Sequence, residues 1–245
     1  MIIVSLRQSK IGSFRKIFMK ALDLYSKIEP LIGFYDEYEK LYVHYLEELS
    51  HFKVKTILDV GCGNGTMLVH LSKHYDAKGI DISSSMVEIA SCKGVDASCR
   101  SIDKVDGKFD AILAVSDVLN YLDLSSLQSF LKAVERLLED GGLFLCDINT
   151  LFGFEEVTAG SMSVDNDEQF LSIEADFNDD VLVTLITLFE KNGEFYTKES
   201  AEILQYYYLI DEIKSLTNLM LVDVKEISLF DEESDKNLLI FQKNL

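Results

Sequence analysis

No stretch of this 245-residue sequence approaches the roughly 18 uncharged apolar residues that a membrane-spanning helix needs. Its first residues contain no apolar core followed by a small-residue cleavage site, so a secretory leader is not expected. Cysteine is sparse: Cys62, Cys92, Cys99 and Cys146 form no CxxC pair, which predicts free thiols and a reducing, cytoplasmic location. Basic residues are outnumbered, 23 Lys and Arg against 42 Asp and Glu, for a formal charge of −19. A surface this acidic repels phosphate backbones, so nucleic acid is not an expected partner. A secreted disulfide scaffold and a membrane protein are thereby excluded. With 48% hydrophobic residues the chain also has enough apolar mass for a core, which excludes a disordered one.

The few basic residues are unevenly placed. Arg7, Lys10, Arg15, Lys16 and Lys20 occupy the first 20 residues with no acid among them, a pattern that reads as a transit peptide or a membrane-touching helix and is expected here to be a helix lying over the main body. Pro30, the only proline, is expected to separate this segment from a second helix at about 35–50, so that residues 1–50 make a helical cap. From residue 54 short β-branched runs alternate with helical patterns. Strands are read at 54–60, 78–82, 95–101, 109–115 and 143–148, and helices at 66–74, 83–90 and 125–138. Asp140-Gly141-Gly142 reads as the turn into the fifth strand. Such alternation requires crossover connections and hence a doubly wound, mainly parallel α/β sheet, with its core at 51–150. After residue 150 the pattern becomes strand after strand at 169–177, 181–190 and 194–208, with an Asn192-Gly193 hairpin signal. Residues 151–210 are therefore expected to form an antiparallel β insertion. A helix at 211–221 and strands at 222–230 and 237–243 complete a seven-stranded sheet.

Gly61-Cys62-Gly63-Asn64-Gly65 lies between the first strand and a helix. Glycines permit a tight turn and close approach of a ligand to the backbone, while the helix start offers unpaired N–H groups. Asp81 stands 20 residues beyond Gly61, at the end of the next strand, where a carboxylate can accept bonds from both hydroxyls of a ribose. Loop and acid together point to a ligand containing adenosine. Dinucleotide folds read GxGxxG/A, whereas Thr66 fills the sixth position here and an acid, Asp59, precedes the loop.

In these residues the sequence resembles the class I S-adenosylmethionine-dependent methyltransferases. The resemblance is carried by Ile57 to Gly65, Gly79-Ile80-Asp81-Ile82-Ser83, Phe109-Asp110-Ala111-Ile112 and Leu138 to Gly142, in matching order over about 50–150. Asp117 to Tyr121 and Phe144 to Thr150 are further similar to a bacterial small-molecule branch that includes N,N-dimethyltransferases of nucleotide-linked amino sugars. The resemblance implies S-adenosyl-L-methionine as cofactor. Gly61, Cys62 and Gly63 would pass its methionine part, with Asp59 orienting the loop. Asp81 would hold the ribose, Ile82 and Met86 would pack on adenine, and Ser101 and Ile102 would stand at the adenine amino group, where relatives often carry Asp. In this chain Asp103 comes two residues later. Ala114, Val115 and Ser116 would line the methyl-donor side, and Tyr35, or else Tyr25, would close over the cofactor.

A sulfonium cofactor is its own electrophile, so no metal and no Ser-His-Asp set is expected. In open α/β sheets ligands lie beyond the carboxyl ends of the strands, which nominates Asp117, Asn120 and Tyr121 after the fourth strand as catalytic or acceptor-binding groups. Each reads equally well as a cap of the following helix or a packed loop residue. Asp147 and Asn149 face the same crevice or merely end their strand, and one ring of Tyr206, Tyr207 and Tyr208 is expected to contribute. His70 and His74, four apart on a helix, read as a solvated face. The expected activity is methyl transfer to a small-molecule acceptor by a monomer or homodimer. An NAD(P)-dependent oxidoreductase and a non-catalytic cofactor-binding module are the alternatives.

Overall fold

The computed structural model describes residues 21–245, so the basic segment at 1–20 lies outside the described residues. Residues 21–32 (α1) and Tyr35–Ser50 (α2) are helical. The break falls at Gly33 rather than at Pro30: Gly33, at φ 77°, takes the left-handed conformation that ends a helix, and its N–H bonds the Glu29 carbonyl. Pro30 instead rides in the last turn of α1.

Seven strands form the main sheet: β1 (Thr56–Val60), β2 (Asp76–Asp81), β3 (Ala97–Cys99), β4 (Phe109–Ala114), β5 (Leu138–Asn149), β10 (Met220–Ile227) and β11 (Lys236–Gln242). Their spatial order is β3-β2-β1-β4-β5-β11-β10, and all pairings are parallel except those of β11. Helices α3 (Thr66–Leu71), α4 (Ser84–Cys92), α5 (Leu124–Leu137) and α6 (Ile210–Ser215) connect them. The expected doubly wound sheet with an antiparallel insertion and an N-terminal helical cap is the observed fold.

Strand alternation divides the core between the two faces. On β4, Ile112 and Ala114 pack with α5 and α6 residues such as Leu131 and Ile213. Ala111, Leu113 and Val115 point the other way, toward Leu41, Tyr45 and Leu49 of α2 and Leu68 of α3. The buried faces of α2 and α5 explain why the flanking helices form: each presents one apolar stripe to a sheet surface that is apolar on both sides. The turn expected at Asp140-Gly141-Gly142 is a bulge within β5. Phe109 pairs with Leu138 and Ala111 with Leu143, so the residues between are extra on the β5 side.

The insertion is a four-stranded antiparallel sheet, β6 (Gly160–Asp165), β7 (Gln169–Asn178), β8 (Val181–Asn192) and β9 (Phe195–Tyr206), one strand more than the pattern predicts. Asp179 and Asp180, both at positive φ, make the mirror-image turn that matches hairpin twist between β7 and β8. The buried residues Leu171, Ile186, Leu188 and Ile203 of this sheet pack with Ala21, Leu24 and Ile28 of α1. The insertion and α1 together thus roof the carboxyl end of the main sheet.

Candidate functional site

Beneath that roof opens a cavity of about 1280 Å³, lined by the β1–α3 loop, the ends of β2 and β4, α1, α2 and the inner face of the insertion. The glycine loop forms one wall. Gly61, Gly63 and Gly65 have φ of 75°, 50° and 77°, conformations that side chains disfavour. A Cβ on Gly61 would stand 2.8 Å from Val118, and one on Gly65 2.7 Å from Ala90, so these two glycines serve close packing. Gly63 has nothing within 4 Å of that position and turns its bare backbone to the open space. The Gly61 and Cys62 N–H groups bond the Ile80 carbonyl, fixing the loop to β2.

Asp81 holds the other side of the loop. Its carboxylate accepts the Gly63 N–H at 2.9 Å and the Ser83 N–H at 2.8 Å. Burial raises its pKa, and these N–H bonds oppose the rise. Ile82 and Met86 line the cavity beside it, followed by Ser101, Ile102 and Asp103. The Ser101 hydroxyl bonds the Asp103 carboxylate, so the acid that comes late in sequence stands on the same wall. That bond, with Lys104, lowers the Asp103 pKa.

Asp59 departs from its expected role. It is 1% exposed and lines the cavity, yet among the described residues neither carboxylate oxygen has a hydrogen-bond partner, so no bond from Asp59 to the loop is present. Burial, and then the charge of Asp81, push its pKa up to about 7. A buried carboxylate left without donors is costly unless a cation completes it.

The β4 end is the strained part of the site. Ser116 and Asp117 both stand at positive φ, 65° and 51°. Asp147 of β5, fully buried, holds them by accepting the Ser116 N–H at 2.7 Å and the Asp117 N–H at 2.9 Å. The Tyr45 hydroxyl donates to the same carboxylate at 2.7 Å. Lys236 of β11 completes the cluster, its Nζ donating to Asp117 Oδ1 (2.9 Å) and Asn149 Oδ1 (2.7 Å) and lying 3.2 Å from Asp147 Oδ2. Burial would lower its pKa, but the Asp117 and Asp147 carboxylates outweigh that and raise it. Gln205 of β9 donates to Asp117 Oδ2 at 2.6 Å and links the roof to the floor.

Gly61, Cys62, Gly63, Asp59, Asp81, Ile82, Met86, Ser101, Ile102, Val115, Ser116, Asp117 and Tyr121 all line this one cavity. Besides that of Asp59, several expectations do not survive. Tyr35 is half exposed at the first turn of α2, off the cavity, because the inward stripe of that helix begins one turn later; Tyr38, Tyr42 and Tyr25 take the wall instead. The Ala114 side chain is turned into the core by strand alternation. Asn120 is fully buried, donating to the Tyr206 carbonyl (2.8 Å) and accepting the Asn149 N–H (3.0 Å), so it staples β5 to the insertion without reaching the cavity. The cap of α5 is Asp123, which accepts the Ser126 N–H. None of Tyr206, Tyr207 and Tyr208 lines the cavity: Tyr208 bonds the Leu122 carbonyl, and Tyr207 packs on Phe154 and Phe177.

The residues that sequence reasoning missed are Tyr38, Tyr42, Glu29 and Lys236. The i, i+4, i+7 spacing of Tyr38, Tyr42 and Tyr45 was the available signal for the tyrosines. Glu29, bonded through Oε1 to the Asn64 amide, and Lys236 carry no local signature.

Residues 57–142 match a family profile described as a methyltransferase domain. YqeM of Bacillus subtilis (strain 168), a protein provisionally named as a methyltransferase, is 30% identical over 174 residues, covering 65% of this chain and 70% of that one. An S-adenosylmethionine-dependent methyltransferase from Clostridium acetobutylicum ATCC 824 superposes with a TM-score of 0.72 at 24% identity, over 91% of this chain and 97% of its own. The sugar N-methyltransferase KedS8 from Streptoalloteichus sp. ATCC 53650 gives 0.69 at 17% identity, over 91% and 92%.

Proposed function

Because the chain belongs to the class I S-adenosylmethionine-dependent methyltransferases, we propose that it transfers the methyl group of S-adenosyl-L-methionine to a small-molecule acceptor in this cavity. The observation that carries the reading is the orphaned carboxylate of Asp59, buried beside the glycine loop and opening on the cavity. It fits a ligand bearing a cationic group, as the amino-acid part of this cofactor does. The bare backbone at Gly63 gives that part room. Asp81 keeps free lone pairs on both oxygens for the ribose hydroxyls, since each oxygen accepts only one backbone N–H. Ile82, Met86 and Ile102 supply the apolar bed for adenine, with Ser101 and Asp103 as acceptors for its amino group.

When bound, the cofactor supplies a methyl group activated by positively charged sulfur. The protein is left to orient the acceptor, exclude water and receive any proton the acceptor sheds. Val115, Ser116 and Asp117 stand where the methyl-donor side is expected, held rigid by Asp147, and α1 with the insertion closes the site from above. Carboxylates facing the cavity, together with the −19 charge, favour a small molecule over a nucleic acid as acceptor.

Thermal shift measured with S-adenosylmethionine, S-adenosylhomocysteine, NAD and NADP tests the reading. Both sulfur compounds at 100 times Kd stabilise the fold by about 2.7 kcal/mol through mass action. A shift with NAD or NADP and none with either sulfur compound at millimolar concentration overturns it.

A further inference from the structure

The likeness to KedS8 speaks to fold, so the acceptor class has to come from the walls of the cavity. Beyond the cofactor wall, the inner face of the insertion, the underside of the roof described above, offers an acceptor a floor of two adjacent side-chain rows. Met162, Ile173 and Ile186 pair directly across three strands, and Ala175, Thr184 and Ile203 make the next row. All six line the cavity. Side chains two apart on a strand are about 7 Å apart and neighbouring strands about 4.8 Å, so the two rows, offset by one strand, make a mostly apolar patch roughly 7 by 14 Å across β6–β9. Thr184 adds one hydroxyl to it, and α1 packs on its Ile186 and Ile203 side.

Beside it stand three phenols that line the cavity with Asp117: Tyr25 of α1 and Tyr121, which pack against the edge of the same apolar cluster, and Tyr38 of α2. The hydroxyls of Tyr25 and Tyr38 lie 3.4 Å apart. Each ring is close enough to Asp117 for that charge, added to burial, to hold the phenol protonated. Asp117 and Asp147 share the single ammonium of Lys236, so the cluster keeps one net negative charge. Glu29 adds a second acid on the same side. Aromatic faces around a negative centre attract an organic cation through both the ring quadrupole and Coulomb's law.

From this juxtaposition, and resting on the methyltransferase reading, we propose that the acceptor is a hydrophobic amine whose nitrogen enters the cage of Tyr25, Tyr38 and Tyr121 beside Asp117 while its apolar body lies on the floor of the insertion. An ammonium must lose one proton before its nitrogen has a lone pair to offer, and the facing carboxylates or solvent take that proton. A phosphate-bearing acceptor would bring two or more negative charges against Asp117 and Glu29. Of the cations that line the cavity, Lys236 is already shared by Asp117 and Asp147, and Arg100 and Lys104 flank the Ser101–Asp103 wall assigned to adenine.

Calorimetric titration of the full chain saturated with S-adenosylhomocysteine tests recognition apart from turnover. The probes are phenethylamine, phenethyl alcohol, phenylacetate and UDP-glucose. Phenethylamine binds at least about tenfold tighter than the alcohol and the acid, and UDP-glucose does not bind. Ile173→Asn on the floor, which adds polarity without charge, weakens phenethylamine at least about tenfold and leaves S-adenosylhomocysteine affinity unchanged, which separates this result from misfolding. Phenylacetate or UDP-glucose binding as tightly as phenethylamine overturns the inference, and so does phenethylamine failing to bind at about 10 mM. If S-adenosylhomocysteine itself does not bind, the methyltransferase reading fails instead.

Discussion

The Lys236 ammonium lies 2.9 Å from Asp117 Oδ1, joining two residues 119 positions apart. The contact ties the last strand to the strained β4 end, and the charges compensate within a largely buried cluster at the edge of the cavity. Lys236→Met leaves Asp117 and Asp147 buried without their cation. Loss of one partner of such a cluster costs about 3–5 kcal/mol, read as a lowered urea midpoint. Lys236→Arg keeps the charge and recovers part of the loss. Because the lysine pKa is raised on folding, its contribution is complete below the ordinary lysine value and is lost as pH rises through the folded one. The lysine therefore adds to the fall in stability on the alkaline side, above about pH 10.4, and the Met variant loses that share while keeping the part set by the buried phenols Tyr25, Tyr38 and Tyr121.

Two glycines of one loop are predicted to fail in different ways. Gly61→Ala drives a methyl to 2.8 Å from Val118 at φ 75°, so the fold loses about 1–3 kcal/mol. Gly63→Ala meets no atom within 4 Å and costs about 1–2 kcal/mol of backbone strain, but its methyl enters the cavity. Its S-adenosylhomocysteine affinity drops at least about tenfold in calorimetry while its melting curve stays cooperative.

Asn120 separates structural from chemical importance. Asn120→Ala strips the Tyr206 carbonyl and the Asn149 N–H of their partners, for about 1–3 kcal/mol in denaturant unfolding. Cofactor affinity, measured well below the new melting point, changes less than about threefold, or under 1 kcal/mol. A loss of affinity larger than the loss of stability would place Asn120 in the site after all.

How far these features could be read beforehand depends on the range of the interaction that makes them. The glycine loop, Asp81 and the strand order follow from contacts within one strand–loop–helix unit, and the sequence shows them directly. The wall of tyrosines depends on which turn of α2 meets the sheet, which spacing alone does not fix, and Tyr35 is expected where Tyr38 stands. Lys236 opens an apolar strand and looks like an ordinary surface lysine; only the pairing of β11 with β5 brings it to Asp147 and Asn149. Asn120 misled for the same reason: its two partners come from β5 and β9, and neither is near it in sequence.

Asp59 makes cofactor binding a proton-linked event. Its pKa of about 7 is set by burial and Asp81, against an ordinary value of 3.8, so the folded chain binds more protons than the unfolded one between those values. Stability of the ligand-free chain accordingly falls as pH rises through that window, by roughly 4 kcal/mol at most. A cation placed against Asp59 favours the ionised form and expels its proton. Titration of S-adenosylmethionine near pH 6, in two buffers of different ionisation enthalpy, is expected to show release approaching one proton per site; near pH 8 the release vanishes and affinity is higher by up to about tenfold. Asp59→Asn removes the proton release and flattens the affinity profile between these pH values, since its amide does not titrate. Proton release that persists unchanged in Asp59→Asn would assign the linkage to Asp81, a second carboxyl on that wall whose pKa burial raises.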